Sequence, residues 1–307
     1  MIAPKLNKGD KIGVVSPSNP VTDDVLAQFK AGVKFLQDQG FEVVVGKHVF
    51  STTLGYSATP QEKAEDINTM FADASIKAII CTQGGYTANA CLPYLDWAVI
   101  QANPKIFLGI SDITVLLNAL YTKTGLVTFH GNDVMWGFGR DPDPYDVQEF
   151  INRLVEAQIG PVKPHRERKT IRSGVAKGKL LGGNINCLLK LAGTPYWPDF
   201  TGSVIFLEAL DVLPAACDHM LHQLKHMGVF DQARGVVIGY IDGLDNKAEQ
   251  PVKMEDVLQS VTAEYDCPIL KMNDFGHNCP NTTLPVGGQV RVDADSQVLE
   301  ILEPCVF

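Results

Sequence analysis

The chain has 307 residues, 45% of them apolar and 20% charged, so it is long enough for two domains and has an ordinary globular composition. A net charge of −9 argues against a nucleic-acid polymer as partner, because phosphate binding requires clustered lysine and arginine. No apolar stretch approaches the length that spans a bilayer, which excludes a membrane-embedded protein.

We expect the protein to function in the cytoplasm. Its first residues lack the apolar core of a secretory signal, and the first apolar run is typical of a strand. The seven cysteines form an odd set without a CxxC pair, which indicates reduced, buried thiols rather than a disulfide framework.

The first half of the chain alternates strand and helix patterns. Thr59, Pro60 and Glu62 predict a capping box at the start of one helix, and Gly40 follows another helix as a C′ glycine. This alternation predicts a parallel sheet covered on both faces, with functional groups at the carboxyl ends of its strands. The predicted strands are 11–16, 41–45, 78–82, 106–110 and 126–129, and the predicted helices are 23–39, 59–71 and a segment from 112 onward.

A second unit begins after a boundary that we place at about 160–177. The stretch 163–172 is short and basic, and we interpret it as a solvated connector. We therefore divide the chain into domains 1–165 and 166–307. The second unit contains predicted strands at 204–207 and 235–241, a histidine-rich helix between them, and an alternating pattern at 289–298.

Ser111 lies where the apolar strand 106–110 meets the helical pattern that begins at Asp112. A hydroxyl on such a turn is lifted clear of the sheet, beside backbone N–H groups that stabilise an oxyanion. This is the geometry of a serine nucleophile. The alternative is that Ser111 and Asp112 only cap the helix, and for an isolated Ser-Asp pair that alternative is favoured.

Three further segments supply the partners of a nucleophile, although each has a structural interpretation as well. The glycine turn of residues 83–86 brings backbone N–H groups close to a ligand, or is simply a tight turn. Glu208 ends a strand and could orient a base, with Asp211 as a competitor, or is a surface carboxylate. His277 lies in a Gly- and Pro-containing loop, 274–287, that suits a catalytic base. Together they give the order Ser, Glu, His.

A rival site is formed by three histidines on one helix. His219, His222 and His226 recur at i, i+3 and i+7, close to one stripe, and such pairs can bind zinc. No glutamate lies where the catalytic base of an H-E-x-x-H motif would stand. We therefore expect a solvated helix face and no metal, and we keep a metallo-hydrolase as an alternative.

The chain resembles, over essentially its whole length, the serine peptidases that include murein LD-carboxypeptidases and microcin C self-immunity proteins. The Ser-Asp-Ile-Thr motif and the segment that ends at Gly287 are fairly specific, whereas the glycine turns are not. The segments that carry the resemblance are Gly13-Val-Val-Ser-Pro-Ser18, Asp66-Ile-Asn-Thr-Met-Phe-Ala-Asp73, Gly84-Gly85-Tyr86, Gly109-Ile-Ser-Asp-Ile-Thr114, Leu181-Gly-Gly-Asn184, Gly193-Thr-Pro-Tyr-Trp-Pro198, Phe206-Leu-Glu208, Gly276-His277 and Pro280-Asn-Thr-Thr-Leu-Pro-Val-Gly287.

The resemblance implies Ser111 as nucleophile, His277 as general base and Glu208 as the residue that orients it. It implies an oxyanion hole from the N–H groups of Gly85 and Asp112. The implied fold is a flavodoxin-like α/β N-terminal domain with a parallel sheet, joined to a smaller β-rich C-terminal domain. A homodimer without cofactor is expected.

The sequence leaves the substrate open. The family often has Arg where this chain has Gln83, and commonly Tyr where it has Ile110. Neither difference replaces a proposed catalytic group, but the first removes a fixed charge near the oxyanion turn and bears on substrate preference more than on chemistry. One branch removes the terminal D-alanine from a murein tetrapeptide, and the other cuts an amide between a peptidyl aspartate and a nucleotide. Tyr86 and several aromatics, Trp197, Trp136 and Phe138, are candidate substrate contacts or packing residues. We favour the immunity-like branch and keep a non-catalytic small-ligand receptor as an alternative.

Overall fold

The computed structural model describes residues 1–307 and contains fourteen strands and nine α-helices. The strands are β1 Lys11–Val15, β2 Glu42–Val45, β3 Ile76–Cys81, β4 Ile106–Gly109, β5 Thr128–His130, β6 Gly160–Pro161, β7 Arg168–Arg172, β8 Val175–Asn184, β9 Val204–Ala209, β10 Gly235–Ile241, β11 Ile269–Gly276, β12 Leu284–Val286, β13 Gln289–Asp293 and β14 Val298–Ile301. The helices are α1 Leu26–Asp38, α2 Pro60–Ala72, α3 Trp97–Ala102, α4 Thr114–Thr124, α5 Pro144–Leu154, α6 Ile185–Leu188, α7 Pro214–His226, α8 Val229–Gln232 and α9 Met254–Val261. None of these helices is both long and apolar enough to cross a membrane.

The first sheet has six strands in the order β12-β5-β4-β3-β1-β2. Strands β1 to β5 are parallel and give the order 2-1-3-4-5 of a flavodoxin-like fold, and β12 is an antiparallel edge strand. The predicted α/β fold with a parallel N-terminal sheet is confirmed.

Local sequence signals set several element boundaries. The Thr59 hydroxyl accepts a hydrogen bond from the Glu62 N–H at 3.2 Å, and the Glu62 carboxylate accepts one from the Thr59 N–H at 2.7 Å. The predicted capping box is therefore present, and α2 follows from it. The helix predicted at 23–39 begins instead as a 3₁₀ turn, Asp23–Val25, before α1. Gly40 after α1 has a φ of +93°, as a C′ glycine requires.

The second sheet has eight strands in the order β6-β14-β13-β8-β9-β10-β11-β7. Its four central strands, β8 to β11, are parallel, and the strands that flank them pair antiparallel. Strand β9, which carries Glu208, lies inside this sheet and is buried along its length. The interpretation of Glu208 as a surface carboxylate is therefore wrong. The loop predicted at 274–287 is shorter than expected, because β11 extends to Gly276 and β12 begins at Leu284.

The basic stretch is partly structural. Arg168 begins β7 and is 6% exposed, and its Nε donates to Asp274 Oδ2 at 2.7 Å. A second nitrogen of Arg168 donates to the carbonyl of Val162 at 3.0 Å. The prediction of a solvated connector is wrong here, because the carboxylate that neutralises Arg168 lies 106 residues further along the chain.

Strand pairing crosses the predicted division at 165/166 in two places. Strand β6, before the division, pairs with β14, and β12, after it, pairs with β5. Near the termini, Ala3 forms a bridge with Val306. One continuous apolar core runs through both units. The division into domains 1–165 and 166–307 stays a prediction.

Candidate active site

A cavity of about 960 Å³ opens between the two sheets. Residues at or just beyond the carboxyl ends of strands from both sheets line it, as expected for an α/β fold. Ser111 follows β4 and His277 follows β11, and both face this cavity. Its volume suits a ligand of the size of a short peptide or a nucleotide.

Ser111 has a backbone conformation that side chains rarely adopt. Its φ is +65°, in the left-handed region, at the turn between β4 and a 3₁₀ turn that leads into α4. Such strain costs about 1–3 kcal/mol and persists only where the surroundings impose it. It is the conformation of a serine on a strand-to-helix elbow.

The side chain of the neighbouring Asp112 is held by a buried hydrogen-bond network. Its Oδ2 accepts from the Ser18 hydroxyl at 2.6 Å and from the Ala88 N–H at 2.8 Å, and its Oδ1 lies 2.5 Å from Lys190 Nζ. No side chain caps this 3₁₀ turn or the start of α4. The alternative that Ser111 and Asp112 cap the helix is therefore wrong. The Asp112 carboxylate instead ties three loops of the cavity together.

The glycine turn after β3 lies directly against the serine. A Cβ on Gly84 would lie 2.5 Å from Ser111 Cβ and 2.7 Å from Ser111 Oγ, so only glycine fits. Gly85 has a φ of +143°, and a Cβ there would lie 2.2 Å from Asn19 Oδ1. The backbone N–H of Gly85 has no acceptor within the protein. A free N–H in this place is available to an anionic oxygen.

Glu208 and His277 form a hydrogen-bonded pair below the cavity. Glu208 Oε2 lies 2.6 Å from His277 Nδ1, and Glu208 is completely buried. Burial opposes ionisation of Glu208, but the charge of His277 and the neighbouring imidazoles of His277 and His130 outweigh it, so the pKa of Glu208 lies below its ordinary value. Burial likewise opposes the imidazolium, but the Glu208 carboxylate raises the pKa of His277 above 6.5. The pair is arranged so that His277 gains a proton more readily than a free histidine.

The remaining ring nitrogen of His277 is unengaged. Nε2 is buried and has no hydrogen-bond partner, so no hydrogen bond joins it to Ser111. Hydrogen bonds of this kind are often long in ligand-free sites and tighten when substrate binds. The structure thus brings Ser111 and His277 to one cavity, with Glu208 buried behind His277.

Asp133 is a cavity carboxylate that the sequence reasoning missed. It is 2% exposed, and its Oδ1 accepts from the backbone N–H groups of Trp136 at 2.6 Å and Gly137 at 3.0 Å. Burial raises the pKa of Asp133 to about 6. The feature of the sequence that could have identified Asp133 is its position just after β5, at the carboxyl end of a parallel strand. Lys190 and Arg140 also line the cavity, and the sequence alone does not predict either of these cations as a site residue.

The predicted aromatic contacts are divided between cavity and core. Trp136 lines the cavity, and its Nε1 donates to Gln83 Oε1 at 2.9 Å. The Gln83 side chain in turn donates to the carbonyl of Pro20 at 2.8 Å, so Gln83 fixes the indole. The Arg140 guanidinium lies 4.1 Å from the Trp136 ring centroid.

Tyr86 also lines the cavity and is 78% exposed. Trp197 does not line it and packs on Phe200, with ring centroids 5.2 Å apart. Phe138 is buried in the core. Ile110, beside the serine, lines the cavity, as does Asp211 on its rim.

The three histidines of α7 do not converge. His219 faces the cavity, whereas His222 Nδ1 lies 3.0 Å from the carbonyl oxygen of Asp218 in its own helix. The rings of His222 and His226 are 6.0 Å apart. The structure contains no group of three or more His, Cys, Asp or Glu side chains placed to hold a metal ion.

Comparisons with known proteins find relatives that match nearly the whole chain. Residues 12–131 match the LD-carboxypeptidase N-terminal domain, and residues 177–292 match the LD-carboxypeptidase C-terminal domain. The chain is 33% identical to the microcin C7 self-immunity protein MccF of Escherichia coli, over 99% of this chain and 96% of that protein. It is 32% identical to a probable murein peptide carboxypeptidase of Bacillus subtilis strain 168, over 94% and 90%. The structure of MccF in complex with glutamyl sulfamoyl guanosine superimposes with a TM-score of 0.93 at 31% identity, covering 100% of this chain and 99% of that one.

Proposed function

The chain belongs to the LD-carboxypeptidase family of serine hydrolases, and from this membership and the cavity we propose that Ser111, His277 and Glu208 form its catalytic triad. The observation that carries the proposal is the meeting of a strained Ser111 on one sheet with the Glu208–His277 pair on the other. A left-handed serine and a buried carboxylate–imidazole pair each cost stability, and features of this kind cluster at functional sites.

His277 Nε2 removes the proton of Ser111 as the hydroxyl oxygen attacks an amide carbonyl. The N–H groups of Gly85 and Asp112 bind the oxyanion of the tetrahedral intermediate. His277 then gives its proton to the leaving nitrogen, the C–N bond breaks, and an acyl-enzyme remains. Water, deprotonated by His277, then attacks the ester carbonyl, the bond from that carbon to Ser111 Oγ breaks, and the proton returns from His277 to Ser111. Glu208 holds the Nδ1–H tautomer of His277 and stabilises the imidazolium.

For the substrate, we favour an amide that joins an amino acid or a short peptide to a nucleotide. The support is Trp136, whose indole is fixed at the cavity wall by Gln83 and accompanied by the Arg140 guanidinium. Indole and guanidinium planes both stack on nucleobases. A structure of MccF, similar to this chain, contains glutamyl sulfamoyl guanosine, and another contains aspartyl sulfamoyl adenosine.

A murein tetrapeptide is the second candidate substrate. The cavity cation Arg140 suits the carboxylate at the end of such a peptide, and the Bacillus subtilis relative is a probable murein peptide carboxypeptidase. In this case the enzyme releases the terminal D-alanine.

Parallel hydrolysis assays on aspartyl sulfamoyl adenosine and on murein tetrapeptide distinguish the two substrates. Ser111→Ala should lower turnover of the true substrate by about 10³-fold or more, whereas Ser260→Ala, on an exposed face of α9, should not change it. Trp136→Leu should impair hydrolysis of the nucleotide compound much more than that of the tetrapeptide. Activity of Ser111→Ala near the wild-type rate would contradict the triad, and hydrolysis of the tetrapeptide alone would establish the second candidate.

Labelling with a fluorophosphonate separates an enzyme from a non-catalytic ligand receptor on the same cavity. Mapping of the label to Ser111 supports the triad, and labelling elsewhere or nowhere supports the receptor. For the assembly, we propose a homodimer, as the family resemblance implies, and for the compartment we propose the cytoplasm. The seven cysteines, all unpaired, suit a reducing compartment. Light scattering on the purified protein and cell fractionation test these two points.

A further inference from the structure

His130 is a buried histidine outside the proposed triad. It ends β5 and is completely buried, and neither of its ring nitrogens has a hydrogen-bond partner. A buried imidazole N–H without an acceptor is unfavourable, and such groups in folded proteins call for an explanation.

The position of the ring is fixed by aromatic packing. His130 meets Phe206 edge to face, with centroids 5.3 Å apart at 81°, and meets Phe275 in the same way at 6.1 Å and 88°. Phe206 lies on β9, two residues before Glu208, and Phe275 lies on β11, two residues before His277. Strand β9, which carries Glu208, and strand β11, which leads directly into His277, therefore also hold the His130 ring.

The His130 ring faces an unpaired oxygen of Glu208. His130 Nε2 lies 4.0 Å from Glu208 Oε1, and Glu208 is the one acidic side chain within that distance of the ring. Glu208 Oε1 is itself buried and without a partner, whereas Oε2 is bonded to His277 at 2.6 Å. Two buried, complementary groups thus stand opposite each other, about 1 Å beyond hydrogen-bond distance.

We propose that His130 is a positioning residue that donates an Nε2–H hydrogen bond to Glu208 Oε1 in the working enzyme and so holds the carboxylate from the side opposite His277. The inference rests on the proposed function of Glu208. A carboxylate with a single partner can turn about its terminal bond, and His277 would turn with it. With donors on both oxygens, Glu208 has one orientation, and the negative charge that faces His277 stays in place.

The test uses the saturable rate of phosphonylation of Ser111 by a fluorophosphonate, in which Oγ bonds to phosphorus, fluoride leaves, and the hydroxyl proton passes to His277. This probe requires no knowledge of the natural substrate. His130→Phe keeps an aromatic ring for Phe206 and Phe275 but removes the donor. His130→Gln removes the ring but places an amide N–H at about the reach of Nε2.

We expect His130→Phe to lower the maximal labelling rate by about 10- to 100-fold, with the half-saturating concentration unchanged, because the inhibitor site does not include His130. His130→Gln should recover to within about threefold of the wild type. A role in packing alone would give the reverse order. A wild-type rate in His130→Phe, or an equal loss in both variants, would overturn the proposal while leaving the triad intact. Failure of the wild-type protein to label at Ser111 would overturn the triad and this inference together.

Discussion

Replacement of Asp133 by Asn should stabilise the protein at neutral and alkaline pH. Asp133 is 2% exposed, and burial raises its pKa from 3.8 to about 6, although the Trp136 and Gly137 N–H groups partly offset this. The folded protein therefore binds a proton that the unfolded chain has already released between these two pH values. Stability falls as the pH rises through this window, and the loss is complete above about pH 7.

The size of the effect follows from the two pKa values. A rise from 3.8 to about 6 corresponds to about 3 kcal/mol of free energy that the ionised Asp133 costs the folded state at pH 8. About half of that cost is already present at pH 5. Because an Asn side-chain oxygen can accept the same two backbone hydrogen bonds, Asp133→Asn removes the charge and keeps the contacts.

Urea unfolding of the wild type and Asp133→Asn at pH 5 and pH 8 measures the difference. The stability advantage of the variant should grow by about 1.5 kcal/mol between the two pH values. Asp211→Asn is the matched control, because the Asp211 side chain is 81% exposed on the rim of the same cavity. This control substitution should change the free energy of unfolding by less than about 0.5 kcal/mol at either pH. An advantage of Asp133→Asn that is independent of pH would refute the reasoning, because it would show that Asp133 is not ionised at a cost in the fold.

Two further predictions concern turnover. Burial disfavours the imidazolium of His277, but Glu208 raises its pKa above 6.5, so kcat/KM should rise with pH through a value above 6.5 as the base becomes neutral. In a pH–rate profile, Glu208→Gln should move the rising limb of kcat/KM to lower pH and reduce the plateau value of kcat/KM by about 10³- to 10⁴-fold. A rising limb at the wild-type pH would contradict the assignment of Glu208 as the partner of His277. Gly84→Ala should lower kcat by about 10²-fold and stability by about 1–3 kcal/mol, because its methyl group would lie 2.5 Å from Ser111 Cβ. Full activity of a folded Gly84→Ala protein, in the same assay with thermal unfolding as control, would show that the serine is not held by this turn.

The parts of this protein that the sequence determined are those encoded over a few residues. The capping box at Thr59 and the strand-to-helix turn at Ser111 depend on neighbours within one or two turns of the chain, so their pattern predicts their structure. The alternation of such elements also predicted the parallel sheet and the edge at which the cavity lies.

Tertiary structure alone decided which side chains meet. Arg168 finds Asp274 across 106 residues, Asp112 finds Lys190 across 78, and Glu208 finds His277 across 69. Charge and burial at these positions depend on partners that no local pattern specifies, which is why the pattern of the basic stretch predicts a solvated connector although Arg168 is buried. The same holds for aromatic residues, since Trp136 faces the cavity while Trp197 packs on Phe200. Short-range propensity places the backbone, whereas desolvation and pairing, which act on long-range neighbours, select the residues that can do chemistry.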